Sequence, residues 1–284
     1  MDGQLIKNLQ ITKVLGQGQT CIVKLAQNKQ TQQNYAIKIY HKLTNNVEKS
    51  QEIFALKTLQ NKNPHIINLL DFDEKSILLE YMQFGELFDF VSKQRFPEKY
   101  AKFFFFKIAS TLKFIHDNNF VHRDIKLENI LFDQNLDLKI ADFGFSAKIK
   151  DTDAKFDKYM GTQGYMAPEI EKKTPYQGQK VDIFASGVLL FCIVVGIPPF
   201  FKATENDPYY KFFYQKKISE YWDMIQQKYK IQVSEDFKNL FNKMVCVDPE
   251  NRISIENILE HEWFENQAFC EENEAKIFLK SLIF

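Results

Sequence analysis

The sequence predicts an α+β protein in which a small β-rich region comes first and a larger, mainly helical region follows. Up to about residue 80, short β-branched segments alternate with polar turns, as strands do. Beyond that point the apolar residues recur at helical spacing, except between residues 121 and 166. The chain has 284 residues, of which 45% are hydrophobic, so it can bury one large core or two modest ones.

The predicted strands of the first region are short segments in which polar and apolar residues alternate or β-branched residues dominate, at 9–16 (LQITKVLG), 21–28 (CIVKLAQN) and 34–40 (NYAIKIY). One helix follows at residues 50–60 (SQEIFALKTLQ), with Ser50 as its predicted N-cap. Its apolar side chains are spaced for one buried face and are Ile53, Leu56 and Leu59.

Two helices of the second region can be predicted from their apolar patterns. Residues 98–119 (EKYAKFFFFKIASTLKFIHDNN) are apolar enough for a long helix that is largely buried. Residues 271–284 (EENEAKIFLKSLIF) predict a short amphipathic helix with Ile277, Phe278 and Leu282 near one face. We expect this last helix to dock on the helical region rather than to inhibit a functional site.

Composition argues against several classes of function. Lys and Arg together number 37, as do Asp and Glu, so no net charge favours nucleic acid or an anionic membrane. The four cysteines lie far apart, which argues against disulfides and zinc and favours a reducing compartment. We expect no signal region and no membrane span, because the longest apolar run has only about 15 residues before Pro198 and a span needs roughly 20. We expect a cytoplasmic monomer that could also enter the nucleus.

Two glycines between the first two predicted strands suggest a phosphate-binding loop. In LGQGQTCIV, Gly16 and Gly18 would let the main chain approach a phosphate, although a plain hairpin turn explains them equally well. Cys21 replaces the third glycine of a G-x-G-x-x-G motif, either as a small apolar side chain or as a thiol whose alkylation would obstruct a nucleotide. Lys38 in YAIK could hold phosphate oxygens or snorkel at a sheet edge, and Glu52 could pair with it.

The segment VHRDIKLENIL (121–131) combines charged residues with apolar residues that would anchor it to a core. Asp124 could accept a proton from a hydroxyl nucleophile, and Lys126 could neutralise charge on a group in transfer. Asn129 offers a neutral oxygen ligand suited to Mg²⁺, and Asp142 in IADFGFSA is a candidate second ligand. Taken singly, each of these motifs could also be a polar hairpin turn.

Together these motifs resemble the signature set of the eukaryotic protein kinases. GQGQTCIV, YAIK, HRDIKLEN, DFG and APE occur in the family's order and at roughly its intervals, over about residues 9–264. The resemblance implies a bilobal fold, with an N-lobe over residues 1–82, a C-lobe over 83–264 and a tail over 265–284. It also implies ATP and Mg²⁺ as cofactors and proteins as substrates, and nothing in the sequence adds nucleic acid or membrane as a partner.

The resemblance implies a role for each matching residue. Lys38, paired with Glu52 at a spacing shorter than in most members of the family, would hold the ATP phosphates. Asp124 would orient the substrate hydroxyl, while Asn129 and Asp142 would hold Mg²⁺. The residues implied in nucleotide binding are Leu15, Gly16, Gly18, Val23, Ala36, Lys38, Leu79 (as gatekeeper), Glu80, Met82, Glu86 and Leu131.

Two supporting features are implied by the same resemblance. One is a stacked spine of side chains, anchored by Asp182, whose members are Leu56, Leu69, His122 and Phe143. The other is a buried ion pair between Glu169 and Arg252, which would support the peptide-docking segment GTQGYMAPE.

Smaller signals resemble Ser/Thr kinases rather than tyrosine kinases. They are Lys126 after the catalytic aspartate and Thr162 in the docking segment, while GELFDFV, GVLLFCIVVGIPPF and HEWF resemble the calcium/calmodulin-dependent and SNF1-like group. In basophilic relatives, the positions of Glu86 and Glu128 face an arginine three residues before the target. We therefore expect a preference for Arg at minus three, and little at minus two, where Cys192 replaces an acidic residue.

The activation loop of this sequence departs from the usual pattern. Kinases with an arginine before the catalytic aspartate, here Arg123, typically need an anion on that loop. The usual phosphosite falls on Lys158, but Asp157 beside it supplies a permanent carboxylate that could pair with Arg123. Asp157 could equally be a solvated loop residue, and Thr152 remains an alternative target.

A pseudokinase scaffold is the main alternative to an enzyme. It would have lost Lys38, Asp124, Asn129 or Asp142, and none of them is lost. A small-molecule kinase of related fold would lack the docking segment.

Overall fold

The computed structural model describes residues 3–18, 20–41, 47–151, 153–265 and 270–283. The chain forms two units, one of Met1–Gly85 with Leu131–Ala147 and the other of Glu86–Ile130 with Lys148–Phe284. The chain first passes from the first unit to the second after Gly85, three residues after the end of the predicted N-lobe at residue 82. The sequence did not predict that residues 131–147 belong with the first unit.

The described strands are, in chain order, β1 (Leu9–Gln17), β2 (Cys21–Asn28), β3 (Asn34–Tyr40), β4 (Leu69–Phe72), β5 (Ser76–Glu80), β6 (Gly85–Glu86), β7 (Phe120–Val121), β8 (Ile130–Phe132), β9 (Leu138–Ile140), β10 (Ala147–Lys148), β11 (Lys155–Phe156) and β12 (Tyr176–Gln177). The described α-helices are α1 (Val47–Leu59), α2 (Leu87–Lys93), α3 (Glu98–Asp117), α4 (Pro168–Glu171), α5 (Gly178–Val195), α6 (Lys211–Tyr214), α7 (Ile218–Tyr229), α8 (Glu235–Met244), α9 (Ile255–Leu259), α10 (Glu262–Glu265) and α11 (Glu272–Ile283).

A five-stranded antiparallel sheet with the order β1-β2-β3-β5-β4 frames the first unit. Side chains alternate across it, so Tyr35 and Ile37 of β3 pack with Ala26 and Leu78 in a core on one face. The next residues in the alternation, including Lys38, therefore lie on the opposite face. The strands predicted at 9–16, 21–28 and 34–40 are confirmed.

Helix α1 packs against the short 3₁₀ segment Phe143–Phe145 in the first unit. Its buried side chains recur at intervals of three and four residues and are Glu52, Ala55, Leu56 and Leu59. The helix begins at Val47, so Ser50 lies inside it and the predicted N-cap is wrong. Because Glu52 belongs to the buried stripe, the helix carries a carboxylate into the interior.

The second unit is built around α5, whose residues are buried from Val181 to Val195. Phe191 of this helix lies in a cluster of aromatic rings with Tyr221, Trp222, Phe237 and Phe241. Among the described helices, α5 alone is long and apolar enough to cross a membrane, but 89% of that stretch is buried inside the protein, as in a core helix. The predicted long helix at 98–119 is confirmed as α3.

The C-terminal helix α11 docks on α2 and α3 of the second unit, as predicted. Ala275 and Leu279 are fully buried, and the Phe278 ring stacks on Tyr100 at 4.1 Å between ring centroids. Ile277 is 65% exposed, so its predicted place on the docking face is wrong. Residues three and four positions apart share a helix face, and here Ala275, Phe278 and Leu279 form it.

Candidate active site

The first group of candidate residues surrounds the Lys38 ammonium in the first unit. Its Nζ lies 2.8 Å from Glu52 Oε2 and 2.7 Å from Asp142 Oδ1. The predicted pair of Lys38 and Glu52 therefore forms, despite the short spacing between them. Burial alone would lower the pKa of Lys38, but the carboxylates of Asp142 and Glu52 outweigh it and raise the pKa well above its usual value. Lys38 is therefore a permanent cation near neutral pH.

Asp142 is held in an uncommon main-chain conformation. Its φ of +61° lies in the left-handed region, and its carboxylate accepts from the Gly144 N–H at 3.3 Å. A Cβ added at Gly144 would lie 3.2 Å from Asp142 Oδ1, so a larger residue there would press on this carboxylate. The Asp142 side chain is 44% exposed, which leaves it accessible to a ligand.

Strand register aligns several residues predicted to bind a nucleotide. Gly16 pairs with Val23, and Val23 pairs with Lys38, so these three residues form one row across the sheet. Ala36 pairs with Leu79 in the neighbouring strands, and both are buried. The remaining predicted residues of this unit are Leu15 on β1, Gly18 after β1, Glu80 at the end of β5, Met82 after β5 and Leu131 on β8.

The glycine loop ends in a main-chain hydrogen bond from the Gly18 N–H to the Cys21 carbonyl at 2.9 Å. Cys21 is the first residue of β2, is 8% exposed and pairs with Tyr40. Burial raises the pKa of its thiol, so near neutral pH the thiol stays protonated and is a poor nucleophile. Of the two sequence interpretations, the structure favours a small side chain that fills space.

The second group of candidate residues surrounds the Asp124 carboxylate in the second unit. The Thr162 hydroxyl donates to Asp124 Oδ1 at 2.7 Å, and the Lys126 ammonium lies 2.8 Å from Oδ2. Lys126 also donates to the Thr162 hydroxyl at 2.8 Å. The Asn129 amide donates to the Asp124 carbonyl at 2.7 Å and to its carboxylate at 3.1 Å. The sequence-predicted residues Asp124, Lys126, Asn129 and Thr162 thus form one hydrogen-bonded network.

A buried carboxylate fixes the main chain ahead of Asp124. Asp182 is fully buried and accepts from the N–H groups of His122 at 2.9 Å and Arg123 at 2.6 Å. It also contacts His116 at 3.0 Å. These bonds hold Arg123 at a φ of +64°, a conformation that non-glycine residues rarely adopt. Apolar neighbours in the same segment, Val121, Ile125, Leu127 and Ile130, are buried and anchor it to the core.

Arg123 is enclosed by aromatic side chains. Its guanidinium lies 4.2 Å from the centroid of the Phe156 ring, and burial lowers its pKa despite its interaction with Tyr176. Phe156 and Tyr176 are themselves partners in the small sheet of β11 and β12. Asp157 is exposed, and its pairing with Arg123 stays a prediction. Thr152 lies outside the described residues.

The acidic pair Glu86 and Glu128 lies in the second unit. Burial, followed by the nearby carboxylates of Asp89 and Glu128, raises the pKa of Glu86. Glu86 also forms a capping box with Asp89 at the start of α2. Within the described part of the chain, Glu128 Oε2 is buried and has no hydrogen-bond partner. Beside Glu128 lies Cys192, whose pKa burial raises to about 12. A buried carboxylate oxygen without a donor is suited to receive a cationic ligand.

Of the two supporting features implied by the resemblance, the ion pair of Glu169 and Arg252 forms in the second unit, and the stacked spine stays a prediction. Arg252 makes two parallel hydrogen bonds to Glu169, at 2.7 and 3.0 Å, in a fully buried position. Leu56, Leu69 and Phe143 are buried in the first unit, and His122 is buried in the second.

Across the described residues, no group of three or more His, Cys, Asp or Glu side chains forms a ready metal site. The amide of Asn129 and the carboxylate of Asp142 are nevertheless the oxygen donors that Mg²⁺ prefers.

Comparison with known proteins shows which family the chain belongs to. The model of the protein kinase domain matches residues 9–264. The chain belongs to the protein kinase family. It is 32% identical, over 92% of its length, to the phosphorylase b kinase gamma catalytic chain, liver/testis isoform, of Bos taurus, and covers 67% of that protein. It is 36% identical, over 91% of its length, to the carbon catabolite-derepressing protein kinase of Candida tropicalis, and covers 41% of it. It is 32% identical, over 90% of its length, to the serine/threonine-protein kinase SIK1 of Mus musculus, and covers 32% of it.

These relatives are ATP-dependent Ser/Thr protein kinases, which confirms the resemblance to Ser/Thr kinases of the calcium/calmodulin-dependent and SNF1-like group. The chain spans between about a third and two thirds of the length of these relatives. The α+β fold predicted for a kinase domain is likewise confirmed. ATP is the nucleotide that the family uses, typically with Mg²⁺.

The sequence analysis did not identify two residues that contact the predicted site residues directly. The Tyr40 hydroxyl donates to Glu52 Oε2 at 2.5 Å, and Phe156 covers Arg123. The alternation of β3 could have indicated Tyr40, because residues two positions apart on a strand lie on the same face and Tyr40 is two positions after Lys38. No comparable signal in the sequence points to Phe156.

Proposed function

We propose that this chain is an active protein kinase that transfers the γ-phosphate of ATP to Ser and Thr hydroxyls of protein substrates. The observation that carries the proposal is the hydrogen bond from the Thr162 hydroxyl to Asp124, with Lys126 touching both groups. A carboxylate that accepts from one aliphatic hydroxyl is suited to accept from the hydroxyl of a substrate. The proposed catalytic domain covers residues 9–264, with the tail at 265–284 as a docked support.

The chemistry assigned to these residues follows from their charges. Lys38, held as a cation by Glu52, would bind the α- and β-phosphates of ATP. The substrate oxygen attacks the γ-phosphorus, the bond to the β,γ-bridging oxygen breaks, ADP leaves, and the hydroxyl proton passes to Asp124. Lys126 neutralises charge on the phosphoryl group in transfer. Asn129 and Asp142 would hold Mg²⁺, which neutralises charge on the phosphates when bound.

The residues proposed to bind the adenine and ribose are apolar or offer main-chain groups. Leu15, Val23, Ala36 and Leu131 would cover the ring faces, with Leu79 as gatekeeper and the main chain of Glu80 and Met82 reading the ring edge. The glycines Gly16 and Gly18 would approach the phosphates, and Glu86 would bond the ribose.

The proposed substrate preference is an arginine three residues before the target. Burial, and then the carboxylates of Asp89 and Glu128, raise the pKa of Glu86, and one oxygen of Glu128 is buried without a hydrogen-bond partner among the described residues. A guanidinium would supply the missing donors and relieve the repulsion between the carboxylates. The neighbouring Cys192 is a protonated thiol near neutral pH and offers no charge to an arginine at minus two.

We propose that the protein acts as a monomer in the cytoplasm, with access to the nucleus, and binds neither nucleic acid nor membrane. The balanced charge of 37 basic and 37 acidic residues supports this proposal.

The test is incubation of the protein with Mg-ATP labelled at the γ-phosphate and a generic protein substrate, followed by phosphoamino-acid analysis. We expect label on serine and threonine and none on tyrosine. Binding of ATP without transfer to any protein would instead identify a pseudokinase scaffold. Transfer to small molecules alone would identify the other alternative.

A further inference from the structure

The Glu52 carboxylate has a second hydrogen-bond donor besides Lys38. Glu52 is fully buried, and its Oε2 accepts from Lys38 Nζ at 2.8 Å and from the Tyr40 hydroxyl at 2.5 Å. Its other oxygen, Oε1, is buried and has no hydrogen-bond partner within the described residues. The orientation of this carboxylate therefore depends on the two bonds to one oxygen.

Tyr40 reaches Glu52 because of its place on β3. It lies two residues after Lys38, so both side chains extend from the same face of the sheet. The Tyr40 N–H donates to the Lys75 carbonyl at 2.9 Å, and Cys21 is its partner on β2, so the main chain at Tyr40 is fixed on both sides. The Lys38 ammonium also lies 5.6 Å from the centroid of the Tyr40 ring.

The direction of the hydrogen bond follows from the chemistry of its partners. An ionised carboxylate can only accept, so the tyrosine hydroxyl donates. Burial and then the Glu52 charge raise the pKa of Tyr40 far above its usual value. The hydroxyl therefore keeps its proton near neutral pH.

We propose that Tyr40 is a positioning residue that orients Glu52 and, through it, the Lys38 ammonium for the phosphates of ATP. The role rests on the proposed function of Lys38. Lys38 lies between two carboxylates, and the one on Asp142 is 2.7 Å away. If Glu52 could rotate, the ammonium would be free to follow Asp142 alone. The hydroxyl of Tyr40 prevents that rotation by holding the shared oxygen in place.

The test removes one oxygen atom in the Tyr40→Phe variant. The matched control is Tyr35→Phe on the same strand, because the Tyr35 hydroxyl bonds Gln33 at 2.9 Å and does not touch Glu52. We expect kcat/KM for ATP to fall about tenfold in Tyr40→Phe, with KM for the peptide substrate unchanged. Tyr35→Phe should leave both parameters unchanged.

A double-mutant cycle with Glu52→Gln separates positioning from a general structural effect. In the Glu52→Gln background, Tyr40→Phe should change kcat/KM for ATP by less than about twofold, because the carboxylate that it orients is already gone. If the wild type is active, two results overturn the role of Tyr40 and leave the proposed function standing. One is the same tenfold loss from Tyr40→Phe in both backgrounds, and the other is an equal kcat/KM for Tyr40→Phe and Tyr35→Phe. Absence of transfer by the wild type overturns the proposed function and this role with it.

Discussion

The docked helix α11 allows a quantitative test of what the C-terminal tail does. Leu279 is fully buried where α11 packs on α2 and α3, whereas Ile277 on the same helix is 65% exposed. Replacing a buried Leu with Ala costs the lost apolar burial plus a cavity, about 2–5 kcal/mol. Replacing an exposed residue usually changes stability by no more than about 0.5 kcal/mol. Leu279→Ala should therefore destabilise the second unit by about 2–5 kcal/mol, and Ile277→Ala should not.

Urea unfolding followed by tryptophan fluorescence is a suitable assay. The chain has 2 tryptophans, and both Trp222 and Trp263 lie in the second unit, so the signal reports that unit. Kinase activity at low temperature should be the same for both variants, because α11 supports the helices and does not inhibit the site. Equal midpoints for the two variants would refute the docking argument. A large gain in activity for Leu279→Ala would show that the tail is inhibitory.

Four further predictions concern the candidate site and the activation loop. Glu128→Gln should reduce the preference for Arg over Ala at minus three about tenfold in matched peptides, and a wild type indifferent at that position contradicts the assignment. The same preference should weaken as the pH falls, and it should do so at a higher pH than for an ordinary glutamate, because burial, Asp89 and Glu128 raise the pKa of Glu86. Gly144→Ala should lower kcat about tenfold by pressing a Cβ against Asp142, and an unchanged kcat would show that this carboxylate can move without penalty. Phosphatase treatment should leave the wild type active while Asp157→Ala loses activity; silencing by phosphatase with no effect of Asp157→Ala would mean that another anion orders the loop.

Much of the site could be predicted because its residues lie in short, dense sequence motifs. Asp124, Lys126 and Asn129 lie within six consecutive positions, so local structure alone brings them together. Lys38 and Glu52 were predictable as partners because a strand and a helix follow each other closely. The predicted N-cap at Ser50 was wrong, because α1 begins three residues before it. The type of a residue alone does not show that it caps a helix.

Features that depend on long-range packing could not be predicted in this way. The return of residues 131–147 to the first unit depends on contacts such as the bridge between Ile66 and Ile140. The cover of Arg123 by Phe156 depends on a strand pair that closes over about twenty residues of chain. The exposure of Ile277 depends on which face of α11 packs on α2 and α3, and the order of apolar residues in the helix does not show this by itself.

The most direct test of the central claim is a comparison of phosphate transfer by the wild type and by Asp142→Ala in Mg-ATP. The control is Asp223→Ala, because Asp223 is exposed on α7, a helix that carries none of the candidate residues. We predict that the wild type and the control transfer phosphate to serine and threonine at equal rates. Asp142→Ala should lose about a thousandfold or more in kcat while it still folds and unfolds cooperatively on heating. Comparable turnover by Asp142→Ala and the wild type would contradict the assignment of this carboxylate and the catalytic role proposed for the site.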